Sequence, residues 1–360
     1  MKKILIANRG EIAIRIARTC NDLGIRTVGI YSEDDSKSLH LSKVDEAYKI
    51  DGKGAAAYLN IKEIIAVAKE AKVDAIHPGY GFLSENVKLA SSARRSNIKF
   101  IGPNEKALKV FGDKTSAKAL ASDLSVPITL GTSAKTSLKQ AENFFKGLRK
   151  NSSILIKAIS GGGGRGMRIV SNLEDLKEAF ERASSEAKAS FDSPDLYVEE
   201  YLKDYRHIEF QILGDGSGNV IHLHERECSI QRRHQKLIEI APSPSLNQDL
   251  KNKMIEASLA FGTKVKYEGL ATIEFLVNIE KGDFRFIECN PRIQVEHTVT
   301  ESITSLDLVK LQIQIASGKT LKQLKLDQDL IKEPKGFAIQ SRINMETIGE
   351  DGNANPAGGI

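Results

Sequence analysis

The chain has 360 residues, 41% hydrophobic and 28% charged, with a net charge of +5. That length holds two or three domains with cores of their own, and a charge so mild, with acidic and basic residues interspersed, gives no nucleic-acid footprint. Cys20, Cys228 and Cys289 lack CxxC spacing and read as buried thiols of a reducing compartment. No run reaches membrane-spanning length, and the apolar start is too short for a signal peptide, so a cytoplasmic chain is expected.

Residues 4–7 read as a buried strand and 11–23 as an amphipathic helix closed by Gly24. Strand 27–31, helix 61–71, strand 75–77, helix 86–96 and strand 99–101 follow. This rhythm implies a parallel sheet with helices on both faces. Ligands of such sheets gather beyond the strand C-termini, where Asn8-Arg9-Gly10 and His77-Pro78-Gly79-Tyr80-Gly81 lie. Ordinary structural turns explain those loops equally well.

A second unit begins near Gly112-Asp113-Lys114, with a helix over 115–124 and a smaller α/β segment over 126–202. Within it, residues 159–168 read Ile-Ser-Gly-Gly-Gly-Gly-Arg-Gly-Met-Arg. Each ordered glycine costs roughly 0.5–1 kcal/mol relative to Ala, a cost usually offset by a backbone that cradles an anion. A flexible turn is the competing reading. The apolar runs Ile154-Leu155-Ile156-Lys157-Ala158 and Met167-Arg168-Ile169-Val170 make the segment a hairpin tip over a phosphate chain. The spacing also fits a dinucleotide-binding pattern, but that motif must open a helix and here a strand follows.

Strands are expected over 207–213, 220–227, 271–277 and 284–289, and a helix over 306–316. Gly318-Lys319-Thr320 mimics the end of a P-loop, yet it closes a helix, so Gly318 reads as a C-cap. A hairpin turning near Lys281 sets Glu274 opposite Glu288, with Asn290 two residues along. Like charges facing each other in a half-apolar sheet are destabilising, and Mg²⁺ among all-oxygen ligands removes the conflict. A protonated or salt-bridged carboxylate would also remove it. Arg292, Gln294 and Glu296 alternate with apolar residues, so an extended segment points a cation, an amide and a carboxylate one way. That trio suits clamping and deprotonating a small oxyacid, and a solvated loop face is the alternative. In the polar cluster 225–236, His222, His224, Cys228 and His234 lack zinc-ligand spacing, so a basic cluster facing an anion is preferred.

These pieces resemble the biotin carboxylase family of the ATP-grasp superfamily. The resemblance runs from Ile4 to about Asn344. Its carriers are Ala7-Asn8-Arg9-Gly10-Glu11-Ile12-Ala13, residues 77–86, residues 157–167, Gln231-Arg232-Arg233-His234-Gln235-Lys236 and Arg292-Ile293-Gln294-Val295-Glu296-His297. It implies an α/β fold: a Rossmann-like N-terminal domain over 1–112, an ATP-grasp domain over 113–322 with a lid at about 131–203, and the start of a truncated C-terminal domain over 335–360. The implied reaction is ATP- and bicarbonate-dependent carboxylation of carrier-held biotin through carboxyphosphate, with Mg²⁺ or Mn²⁺. The resemblance further implies a carrier protein or domain, a carboxyltransferase and a homodimer as partners, with no nucleic acid or membrane. An acetyl-CoA carboxylase of fatty acid biosynthesis, or a propionyl-CoA or pyruvate carboxylase, would contain such a component.

By the same resemblance, Lys114 and Lys157 contact ATP phosphates, and Gly162, Gly163, Gly164, Gly166 and Met167 form the lid. Glu199, Glu200, Tyr201 and Leu202, with His207, Gln231 and His234, hold adenine and ribose. Glu274, Glu288 and Asn290 bind the metal, the two carboxylates also facing ATP. Lys236, Arg292, Gln294 and Val295 bind bicarbonate, Glu296 is the general base, and Arg342 stabilises the biotin anion. Pro291 and Gln340 depart from the residues expected there, Thr and Glu. The alternatives are another ATP-grasp ligase, resembling carbamoyl-phosphate synthase, and a non-catalytic nucleotide-binding fragment.

Overall fold

The computed structural model describes residues 1–132, 135–150, 152–159, 167–232, 235–350 and 354–356. Near the N-terminus, five parallel strands, β1 (Lys3–Ile6), β2 (Arg26–Tyr31), β3 (Glu46–Lys49), β4 (Ala75–His77) and β5 (Lys99–Phe100), lie in the order β3-β2-β1-β4-β5. Apolar residues on alternate positions of β1 feed two cores, Ile4 and Ile6 on one face and Leu5 on the other. The helix Gly10–Asp22 buries Ile12, Ala13, Ile16, Ala17 and Cys20 on one side, and Gly24 follows its C-cap at φ +66°.

The loops after β1 and β4 are stapled to each other. The buried Asn8 amide donates to the Pro78 carbonyl at 2.7 Å and the Tyr80 carbonyl at 2.8 Å. Gly79 sits at φ +64°, where a Cβ would lie 2.9 Å from Asn8 Nδ2. His77 Nδ1 accepts the Gly79 N–H at 3.1 Å, and burial pushes its pKa down to about 3. For these contacts the structural-turn reading holds.

Asp113 caps the helix Lys114–Asp123 by accepting from the Ser116 N–H at 2.7 Å. A three-stranded antiparallel sheet follows: β6 (Ser153–Ala158), β7 (Arg168–Val170) and β8 (Leu196–Tyr201), in the order β7-β6-β8. The strands read from sequence on either side of the glycine run, β6 and β7, pair antiparallel; Gly162, Gly163, Gly164 and Gly166 lie outside the described residues, as does His234.

The largest sheet holds β9 (Arg206–Asp215), β10 (Val220–Arg232), β11 (Gln235–Ala241), β12 (Glu268–Asn278), β13 (Asp283–Asn290) and β14 (Ala338–Ser341), in the order β13-β12-β9-β10-β11-β14. On β9, Ile208, Phe210 and Ile212 enter a core shared with the helix Gln248–Val265. β14, within the segment 335–360, joins this sheet along β11, pairing Gln340 with Glu239. Gly318 follows the helix Leu308–Ala316 at φ +90°, the C-cap expected of it.

Two expectations change. The strand placed at 220–227 runs on to Arg232 and returns as β11, so the polar cluster 225–236 is a β-hairpin. Residues 292–296 are not extended: they leave β13 as an irregular turn, and Glu296 is the N-cap residue of the helix His297–Thr304. β3 and the helix Gln248–Val265 lie outside the elements read from sequence.

Candidate active site

The period of a strand builds the site. On β9 the residues between the core positions, His207, Glu209 and Gln211, face the other side of the sheet, as do Thr272 and Glu274 on β12. The hairpin register holds: Glu274 pairs with Glu288, and a bulge beside Glu274 shifts the pairing thereafter. Glu274 is buried, and its Oε1 receives Asn290 Nδ2 at 2.5 Å and Gln294 Nε2 at 3.0 Å. His207 Nδ1 accepts from Gln231 at 2.8 Å, which leaves Nε2–H to donate to Glu274 Oε2 at 2.6 Å. Among the described residues Glu288 has no ion-pair partner; it is half-buried.

Lys236, from β11, stands at the centre. Its ammonium donates to Glu209 Oε2 at 2.5 Å, Glu296 Oε1 at 2.6 Å and Glu274 Oε1 at 3.3 Å, using all three protons. Arg342, just past β14, donates Nη2–H to Glu296 Oε2 at 2.8 Å and Nε–H to Glu239 at 2.6 Å. Burial alone would raise the Glu296 pKa; the charges of Lys236, Arg226 and Arg342 outweigh it and hold it at about 2. Burial is likewise outweighed at Glu274, by Lys236 and His207, which keep its pKa well below the usual carboxylate range.

Beneath this layer lies Arg226, fully buried and absent from the sequence reading. Its five N–H groups go to Glu209 (2.5 Å), Gln211 (2.8 Å), Thr300 (2.9 Å), Thr272 (3.0 Å) and Gln294 (3.0 Å). The Gln294 amide is thus fixed at both ends, its oxygen on Arg226 and its nitrogen on Glu274. Arg292 takes another direction: Nε donates to Glu85 Oε1 at 2.6 Å, from the loop after β4, and Nη2 to Asn290 Oδ1 at 3.0 Å. Gln294 and Glu296 therefore meet at the centre while Arg292 closes its edge. Val295, between them, is half-buried.

Lys157 on β6 donates to Glu199 Oε2 on β8 at 2.6 Å. Glu199 Oε1 receives Lys118, a residue the sequence reading passed over although it lies one helical turn beyond Lys114. Burial of Glu199 is overcome by these two lysines, which hold its pKa at about 2. Glu200 and Tyr201 end β8, Leu202 follows it, and Met167 leads into β7.

His222 and His224 stack edge to face at 5.6 Å, whereas Cys228 lies with Glu209 and Glu296. The zinc reading gains no support among the described residues. A hard divalent cation fits Glu274 and Glu288, adjacent carboxylates of which Glu288 has no ion-pair partner among the described residues. Asn290 has its oxygen engaged by Arg292.

Fold and site together define the class: an ATP-grasp core behind a parallel-sheet domain. A family model described as biotin carboxylase, N-terminal domain, matches residues 1–108, and one described as carbamoyl-phosphate synthase L chain, ATP binding domain, matches residues 113–324. The chain belongs to the biotin carboxylase family, whose members are ATP-dependent ligases.

Among solved structures it is similar to the *Campylobacter jejuni* biotin carboxylase in its β-γ-ATP complex, with 42% identity and a TM-score of 0.91 over 97% of this chain and 77% of that one. It is also similar to the biotin carboxylase domain dimer of *Hydrogenobacter thermophilus* 2-oxoglutarate carboxylase, in complex with MgADP and bicarbonate. The identity there is 44% and the TM-score 0.91, over 96% of this chain and 75% of that one. The pyruvate carboxylase of *Bacillus subtilis* is 50% identical over 96% of this chain, which spans 30% of that protein's length. The human mitochondrial pyruvate carboxylase is likewise 50% identical over 96% of the chain, here spanning 29% of its length.

Proposed function

We propose that this chain carries out the ATP- and bicarbonate-dependent carboxylation of biotin held on a carrier protein or domain. The observation that carries the reading is the convergence of Lys236, Glu296 and Arg342 beside the carboxylate pair Glu274 and Glu288. Phosphoryl transfer needs charge neutralisation and positioning more than covalent chemistry from the protein. Lys114 and Lys157 take the ATP phosphates, with the glycine hairpin closing over them. Glu199 to Leu202, with His207, Gln231 and His234, hold adenine and ribose. Glu274 and Glu288 hold Mg²⁺ or Mn²⁺, which shields the phosphate charge when bound.

Bicarbonate lies against Lys236, Arg292, Gln294 and Val295. Glu296 is always ionised at neutral pH, yet with a pKa of about 2 it is a weak base as long as Lys236 and Arg342 both bind it. An anion that draws either cation away raises its basicity, so substrate binding itself activates the base. Bicarbonate gives its proton to Glu296 and attacks the ATP γ-phosphorus, and ADP leaves. The resulting carboxyphosphate splits into CO₂ and phosphate, the phosphate takes the N1′ proton of biotin, and the biotin anion, faced by Arg342, attacks CO₂.

The domain limits fit this reading as 1–112, 113–322 with its lid at 131–203, and a C-terminal domain from 335. The pyruvate carboxylases among its relatives favour a keto acid over acetyl-CoA as the final acceptor, with a carboxyltransferase and a second copy of the chain as partners. No helix among the described residues is long and apolar enough to cross a membrane.

The test is bicarbonate-dependent ATP hydrolysis with and without free biotin, in a version extended to the length of the *C. jejuni* relative. Biotin stimulation that Glu296→Ala abolishes is the expected result. Stimulation by ammonia in place of biotin would overturn it in favour of a carbamoyl-phosphate-forming ligase.

A further inference from the structure

One carboxylate serves two lysines beside the expected phosphate site. Glu199 is 4% exposed, with one oxygen on Lys118 and the other on Lys157 at 2.6 Å. Both ammonium groups also lie over the Tyr197 ring, 5.9 Å and 6.0 Å from its centroid. Lys118 is further anchored by the Thr129 hydroxyl at 3.0 Å. It projects from the helix that begins at Lys114, one turn on, while Lys157 comes from a strand of the hairpin sheet.

The two lysines are not equivalent. Lys157 has Glu199 as its one ion-pair partner among the described residues, and Lys118 has Glu199 together with a neutral anchor. An ammonium that moves onto a nucleotide phosphate must leave its carboxylate, and a buried carboxylate left with no cation is strongly disfavoured. A second cation already seated on the same carboxylate removes that penalty.

We propose that Lys118 is a positioning residue for nucleotide binding: it keeps Glu199 neutralised so that Lys157 is free to transfer from Glu199 to the phosphate chain. The proposal rests on the reading of Lys157 as a phosphate ligand. Lys118 acts through Glu199 and not by touching the nucleotide. No covalent step is involved; one ion pair is exchanged for another.

A double-mutant cycle on the 360-residue chain tests it, with MgADP and adenosine affinities measured by calorimetry. Lys118→Met is expected to weaken MgADP about tenfold, within the usual range of coupling between neighbouring charges. Adenosine, which has no phosphate, should bind unchanged. Lys118→Arg should restore MgADP binding, which a lost packing contact would not explain. In a Glu199→Gln background, where Lys157 is no longer held, Lys118→Met should cost less than twofold.

An equal loss in both backgrounds would overturn the proposal, because Lys118 would then act directly on the phosphates. So would unaltered MgADP affinity in Lys118→Met, or equal losses for MgADP and adenosine. Lys157→Met separates this from the parent reading: if it leaves MgADP affinity intact, the phosphate role of Lys157 fails first and the proposal falls with it. Thermal melts of each variant identify any that fail to fold, and Lys118→Arg then decides: wild-type MgADP affinity supports the proposal and a tenfold loss overturns it.

Discussion

Two clusters of buried charge sit side by side and are balanced in different ways. Around Lys236 the cations and carboxylates satisfy each other: three protons of Lys236 and five of Arg226 all have acceptors within the protein. Around Glu199, among the described residues, two lysines share one carboxylate. The first cluster can stand without a ligand and must be opened by one. The second has cationic charge to spare and is completed by an anion. A polyphosphate and a small oxyacid would therefore be received by different physics, the former by unspent charge and the latter by competition for partners already engaged.

The sharpest way to separate the clusters is Glu296→Gln. Bicarbonate-dependent ATP cleavage should fall by roughly 10²–10⁴-fold, the usual span of a general base, while MgADP affinity stays within about twofold of wild type. Loss of both together would mean that the clusters act as one. Next in size is Arg226→Met, which leaves Glu209 with Lys236 alone and takes the shared donor from Gln211, Thr272, Thr300 and Gln294. Unfolding should be easier by about 3–5 kcal/mol, read as a lower denaturant midpoint; a shift near zero would show that the hub is dispensable.

Acid should act in two stages. Burial pushes His77 down to about 3 and His222 and His297 to about 4, from an ordinary 6.5. Each must stay neutral when folded, so this stability is whole above about pH 6.5 and drains as the pH falls towards the folded values. For Glu296 and Glu199, burial is outweighed by their cations and both sit at about 2. Their contribution is whole above the ordinary value of 4.5 and is lost as the pH falls through 2. A denaturant midpoint that stays flat from pH 7 down to 4.5 would count against the histidine stage. The smallest effect belongs to Arg182→Ala, which breaks an exposed i,i+4 pair with Glu178. About 0.5 kcal/mol or less is expected, a control for the two clusters.

What the sequence made legible follows from periodicity. Alternation along β12 and β13 gave the Glu274–Glu288 register, and the glycine after residue 317 gave a helix end. Arg226 was not legible. It lies in a central strand buried on both faces, amid His222, His224, Glu225 and Glu227, where polar residues erase the alternation on which strand reading depends. The turn at 292–296 was misread for a related reason: three polar residues spaced by two mimic a strand, while their separation onto Glu85, Glu274 and Lys236 depends on contacts distant in sequence. Lys118 had a signal in its i+4 spacing from Lys114, but lysines at that spacing are common on solvated helix faces.

Arg342 reaches Glu296 from just past the last strand of its sheet, 46 residues beyond Glu296 and 106 beyond Lys236. On the ribosome, β9 to β13 can pair and seat the carboxylates on Lys236 before β14 has emerged. A nascent chain at that stage already carries the lysines that would draw a nucleotide, but not the cation that faces the base. The pair on Glu296 is thus completed only when the last strand of the sheet has been made.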